Sequence, residues 1–268
     1  MPSAALRIAD LRAIQTLSHD CRDLGDDAHV WRNRFAEGLS QLVRLDLVFV
    51  VEMDGLLDGR PQSLGAAEWG WHRGLNRTGW DAAQAVFQEN PGYSEGMNEF
   101  FARLAVSEDA TFARPELIGQ PVWQSSVERE FCKAVGIEET AYSFHRIADD
   151  PQAHSGILAN RATGEKPFSA RDTAILAEVQ QSFAPLVGRS LARFAEPSPA
   201  TLPPRVREVL RCMLEGDGDK QIAARLNIRP HTVNQYVKAI HKHFGVSSRA
   251  ELLARWIKRG WGARFAWA

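Results

Sequence analysis

The sequence predicts an α+β chain in two parts: a mixed α/β domain over residues 1–195 and an all-helical, four-helix domain over residues 204–268. Three observations predict this. The stretch 195–204, AEPSPATLPP, holds four prolines and Leu202 as its only large apolar residue. Proline fixes φ and lacks an amide donor, so residues 196–203 read as an extended linker. Before it, apolar runs of strand length alternate with helical spacing; after it, only helical spacing remains. The charge also changes sign. Residues 1–199 carry 19 Lys and Arg against 28 Asp and Glu, a balance of −9. Residues 200–268 carry 13 against 5, a balance of +8, which suits a polyanionic partner for that half alone.

Within the first domain, residues 4–22 and 27–43 read as helices. LDLVFVVEM (45–53) is a continuous apolar run of strand length. AEWGW (67–71), AYSFHRI (141–147) and HSGILAN (154–160) read as further strands. Residues 121–136 and 169–194 read as helices, the second opened by the capping pair Ser169 and Asp172. Trp69 and Trp71 alternate as if on one strand face. With Trp80 they are candidates to line a pocket for a small-molecule ligand of unknown identity, core packing being the plainer alternative.

In the second domain, Pro204 suits a helix start. Val206, Val209, Leu210, Met213 and Leu214 then mark one buried face, closed by Gly216 and Gly218. Asp219 is a candidate cap for a short helix, KQIAARL, and Asn227 tolerates the left-handed turn after it. Pro230 opens a third helix, HTVNQYVKAIHKHF, and Gly245 stops it. Val233, Val237, Ile240 and Phe244 form the apolar stripe of that helix. Asn234, Lys238 and Lys242 recur every four residues on another face. Ser248 and Glu251 form a capping box for a fourth helix, RAELLARWIKRG. A short helix, a tight turn and a longer helix with a polar outer face make a helix-turn-helix.

LPPRVREVL, DKQIAARLNI and HTVNQYVKAIHKHFGVSSRAELL resemble the LuxR-type DNA-binding domain over residues 202–253. The markers Glu208, Lys220, Ile222, Ala223, Leu226, Thr232, Val233, Ile240, Gly245 and Val246 spread over this span. Asn227, Arg229 and Tyr236 depart from the family, which usually has glycine, often serine and commonly histidine there. The resemblance implies a bacterial transcription regulator whose third helix enters the major groove of double-stranded DNA. RNA polymerase is then a further candidate partner. Asn234, Gln235 and Lys238 are the candidate base readers, since amides match adenine and an ammonium matches the acceptors of guanine. Lys220, Thr232 and Lys242, helped by Arg229 and His231, are the candidate phosphate contacts. Arg249 is a weaker one, because it could simply complement Glu251. The family often dimerises through its fourth helix. That makes Trp256 a candidate homodimer contact, with packing inside the domain as the alternative.

HSGILANRATGEKPFSARDTAILAEVQQSFAPLVGRSL and PVWQSSVEREFCKAVGIEETAY resemble GAF-like sensory domains attached to LuxR-type regulators. This implies an N-terminal sensor that controls the helix-turn-helix. Other readings have less support. A receiver domain would need an aspartate where Val51 stands. An acyl-homoserine-lactone sensor would place its Asp-Pro earlier than Asp150 and Pro151. A helix-turn-helix that docks on protein does not explain the +8 balance. No cofactor, metal or enzyme motif is visible: His72, His145 and His154 lack ligand spacing, and phosphate-loop and nucleophile-elbow patterns are missing. Cys21, Cys132 and Cys212 lie far apart and read as free thiols of a cytoplasmic protein. Neither a secretory leader nor a membrane-length apolar run is seen.

Overall fold

The computed structural model describes residues 6–57, 62–89, 94–107, 109–147, 150–194, 197, 199 and 202–258. It divides into two compact units. One holds the described residues up to Cys21 together with Arg32–Val187; the other holds Arg22–Trp31 and the chain from Gly188 onward.

The first unit is mixed α/β. Its chain order is α1 (Ile8–Asp23), α2 (Ala28–Val43), β1 (Leu47–Asp54), β2 (Gln62–Trp69), α3 (Arg77–Glu89), α4 (Glu95–Ser107) and β3 (Asp109–Ala113). Then follow α5 (Arg114–Leu117), α6 (Gln120–Ser125), α7 (Val127–Val135), β4 (Ile137–Ile147), β5 (Asp150–Ala162) and α8 (Ala170–Phe183). Among the described residues the five strands form one sheet in the order β2-β1-β5-β4-β3, with every pairing antiparallel. β1 is apolar on both faces because both are covered. Val48 and Val50 are fully buried on one side, and Phe49 and Val51 join the core of the other.

The face carrying Glu52 is closed by α2 and α8. Arg32 of α2 donates to the Glu52 carboxylate at 2.6 Å, with both side chains fully buried. Gln180 of α8 donates to the carbonyls of Ser143 and Ser155 at 3.0 and 2.9 Å. The opposite face receives α3, α4 and α7.

Three expectations from the sequence change. The helix expected over 121–136 is two. Ser126 leaves the helical region, with φ −78° and ψ 147°, and its hydroxyl caps α7 by accepting from the amide of Arg129. The helix expected over 169–194 starts at the capping box of Ser169 and Asp172 but ends at Phe183, before Pro185. Residues 188–194 instead form an irregular strap in the second unit. There the Trp31 indole donates to the carbonyl of Ala192 at 2.9 Å, and the Ala192 amide donates to Gly25 at 2.7 Å. Third, Trp69 and Trp71 do not share a strand. β2 ends at Trp69, and Gly70 turns the chain at φ 119° into a 3-10 turn, Trp71–Arg73. A Cβ at Gly70 would lie 2.0 Å from the carbonyl oxygen of Asp46, so only glycine fits.

The second unit contains α9 (Pro204–Leu214), α10 (Asp219–Leu226), α11 (Pro230–Phe244) and α12 (Arg249–Lys258). Val206, Leu210, Ile222, Val233, Ile240, Phe244 and Leu252 meet in one core; Leu226 and Val237 pack at its edge. Gly218, not Asp219, is the N-cap of α10, and Asp219 lies inside the first turn. Half of the expected linker 196–203, and the tail residues Trp261, Phe265 and Trp267, lie outside the described residues.

Candidate nucleic-acid interface and ligand cavity

α10 and α11 are joined by Asn227, which takes the left-handed conformation at φ 53°, and by Ile228, which packs against the core. Pro230 is the first residue of α11, where its missing amide costs nothing; Arg229 before it supplies no side-chain cap. Val233, Ile240 and Phe244 are buried, so the helix is pinned by one stripe. The rotation this imposes turns Asn234, Gln235, Lys238 and Lys242 outward on a single exposed face, with His231 at its N-terminal end. Lys220 and Arg229 are also exposed, whereas Thr232 is half-buried. The side chains of Gln235 and His231 lie 3.1 Å apart, nitrogen to nitrogen, one turn apart on the helix.

Charge pairing separates the cations of this unit into two groups. Arg225 donates to the carboxylates of Glu215 and Asp217, which raise its pKa further. Arg249 donates to the carbonyls of Asp217 and Met213, and Arg255 to that of Phe244. Arg205 pairs with Glu208 at 2.8 Å. These arginines tie turns and helix ends together. Glu251, the expected partner of Arg249, accepts instead from the amide and hydroxyl of Ser247, which lowers its pKa. The Ser248 hydroxyl accepts from the Glu251 amide, so the capping box survives with its return bond one residue early. Lys220, Arg229, Lys238 and Lys242 take part in no ion pair among the described residues. The sequence does not announce this difference, because it depends on which carboxylates the fold brings within reach.

Trp256 is 5% exposed and stands edge-on to Phe244 at 6.3 Å, as part of the unit's own core. That placement is the packing inside the domain that stood as the alternative to a dimer contact. The exposed apolar side chain of α12 is Ile257, at 77%.

The first unit holds a half-open cavity of about 520 Å³ between one sheet face and α3, α4 and α7. This is the size of a small-molecule site. Phe49, Met97, Phe101, Tyr142, Phe144 and Leu158 supply apolar wall. Of the three tryptophans expected at a pocket, Trp80 alone lines it, stacked on Phe49 at 4.2 Å and 14°. Trp71 packs edge-on behind Phe49 and donates its indole N–H to Glu68 at 2.8 Å. Trp69 lies under the guanidinium of Arg73, 4.7 Å from the ring centre.

No local pattern in the sequence pointed to the polar group inside this cavity. Glu128, on the first turn of α7, is 9% exposed and lines the cavity. Its carboxylate accepts from the Ser94 hydroxyl at 2.6 Å and from the Tyr142 phenol at 2.9 Å. Burial, with the neighbouring Glu128 carboxylate adding to it, pushes the Tyr142 pKa well up, so the phenol keeps its proton. Burial likewise pushes the Cys132 thiol in the same wall up to about 12, so it serves as neutral wall and not as a nucleophile. Thr140 donates to Asn160 at 3.0 Å on the sheet side.

Among the described residues no group of three or more His, Cys, Asp or Glu is placed to hold a metal ion. No described helix is long and apolar enough to cross a membrane.

Residues 200–255 match the family model described as bacterial regulatory proteins, luxR family. A curated relative, the probable HTH-type transcriptional regulator GfsR of Streptomyces halstedii, is 31% identical over 98 residues. The match covers 36% of this chain and 38% of that protein. A structure of SdiA in complex with octanoyl-rac-glycerol aligns at 15% identity and a TM-score of 0.44, covering 98% of this chain and 100% of that one. A structure of Escherichia coli SdiA aligns at 15% identity and a TM-score of 0.40, covering 93% and 97%. Residues 200–255 are thus a LuxR-family helix-turn-helix domain.

Proposed function

We propose that this chain, with its luxR-family domain at residues 200–255, is a cytoplasmic transcription regulator that binds double-stranded DNA as a homodimer. In this reading residues 1–195 are a GAF-like sensor, 196–203 a linker and 204–268 the DNA-binding domain. A small molecule in the cavity of the first unit is the signal. The observation that carries the reading is the outer face of α11. Its two amides, Asn234 and Gln235, and its two unpaired ammonium groups, Lys238 and Lys242, stand together opposite the buried stripe. Asn234, Gln235 and Lys238 read base edges in the major groove. Lys242, Lys220, Arg229 and His231 hold phosphates, with Thr232 beside the helix start.

The test begins with selection of genomic fragments by the full-length protein at moderate salt. Asn234→Ala and Gln235→Ala should each lose about 1–3 kcal/mol on the selected site and blur its sequence. Equal losses on random DNA would remove these residues from base reading. A folded protein that shows no salt-dependent binding to any DNA would end the regulator reading.

A further inference from the structure

Taking the cavity of the first unit as a ligand site, we propose that its ligand is a cation: a protonated amine or amidinium on a flat, apolar body. Three features carry this. First, Glu128 is a buried carboxylate that faces an apolar cavity and has no cationic partner among the described residues. Only two neutral donors, Ser94 and Tyr142, reach it. An ionised carboxylate offers about four acceptor sites, so about two remain open. The buried Arg114 nearby is paired with Glu139 at 3.1 Å, so the favourable completion of Glu128 is a positive group with N–H donors.

Second, no Lys, Arg or His is among the described residues lining the cavity, whereas Glu68 and Asp81 also line it. Those two are engaged by Arg77, at 2.5 and 3.6 Å, so they act as a rim and leave Glu128 as the interior anchor. An anionic ligand would meet the Glu128 carboxylate in the interior with no cation among the described lining residues to offset it. Third, the stacked pair of Trp80 and Phe49 and the ring of Tyr142 line the cavity and suit a planar body, and aromatic rings attract cations as well.

The charge preference is measurable with matched probes. Isothermal titration of the full-length protein at pH 7 would compare tryptamine, tryptophol and indole-3-propionate. These carry one indole ring with an ammonium, an alcohol and a carboxylate. Tryptamine should bind at least ~10-fold more tightly than tryptophol, a margin typical of a charge-assisted bond, and indole-3-propionate should not bind. Glu128→Gln should erase the difference between amine and alcohol. Ala83→Trp, which fills the cavity from α3, should abolish binding of both and so locate the site. If tryptophol binds and tryptamine binds no better, or if Glu128→Gln leaves the ratio intact, the cationic class is overturned while the cavity remains a ligand site. If no probe binds at millimolar concentration, both ideas are overturned. Should Glu128→Gln fail to fold by circular dichroism, the wild-type ratio of amine to alcohol decides alone.

Discussion

On one face of the sheet Glu52 is fully buried, and its carboxylate sits 2.6 Å from the equally buried Arg32. On the other face Glu128 is nearly as buried, but a serine and a tyrosine hold it against a cavity. The first face is closed; its charges are spent on each other. The second keeps a hollow and a charge with capacity left over. The same contrast runs through the second unit. Arg225 and Arg249 are consumed by carboxylates and carbonyls, while Lys220, Lys238 and Lys242 remain unpaired on the surface. In this molecule paired charges build the scaffold, and the proposed partners are assigned to the unpaired ones.

The largest test of that contrast is Glu52→Ala. It leaves Arg32 as a buried, uncompensated charge and should cost about 3–5 kcal/mol in urea unfolding. Replacing both residues together by leucine and methionine should recover most of that loss. Glu128→Gln, by comparison, keeps one acceptor oxygen and turns the other into an NH2 donor, from which the rotatable hydroxyl of Ser94 or Tyr142 can accept, and should cost about 1 kcal/mol or less. A Glu128→Gln loss as large as that of Glu52→Ala would break the contrast.

In the second unit, Ile240→Ala empties a fully buried position and should cost about 2–5 kcal/mol. Leu226→Ala, at the half-buried edge, should cost less. Lys242→Ala should leave the melting temperature where it was and reduce the salt slope of log K for DNA by about 1. Arg249→Ala should do the reverse, lowering stability with little change in slope. An unchanged slope for Lys242→Ala would remove that lysine from the phosphate contacts.

The smallest effect concerns charges that the fold forbids. His145 and His154 are buried, and burial lowers both pKa values below 6.5. Asp109, 3.3 Å from His145, opposes the shift only in part. The unfolded chain therefore binds more protons than the folded one at mildly acid pH. Their contribution to stability is complete above about pH 6.5 and is lost as pH falls below it. His154→Phe should flatten the fall in melting temperature between pH 7 and pH 5. An unaltered pH profile would show that His154 takes up protons equally in the folded and unfolded states.

The helix-turn-helix was legible because its signals are local. Pro230, Asn227, Gly245 and the stripe of Val233, Ile240 and Phe244 each act within a few residues, and the helical period then fixes which side chains point out. Most strands were legible as apolar runs, and the box of Ser169 and Asp172 as a cap. By contrast, α3, α4 and β3 escaped, since their apolar residues make sense only against a sheet face that distant parts of the chain build. Trp69, Trp71 and Trp80 looked alike in sequence. One glycine, Gly70, with a carbonyl 2.0 Å from its missing Cβ, separates Trp69 from Trp71, and Trp80 stands apart on α3.

The sequence by itself determined that there are two regions of opposite charge, that the second is a helix-turn-helix, and which of its residues face outward. Periodicity, caps and net charge are properties of the chain read in order. Only the tertiary structure decided which charges are free. Arg249 lies 36 residues from Met213, Glu52 lies 20 from Arg32, and Glu128 lies 34 from Ser94 and 14 from Tyr142. Whether a carboxylate or a guanidinium is spent or available depends on what the fold carries to within about 3 Å of it, the reach of a hydrogen bond, and no local pattern records that distance.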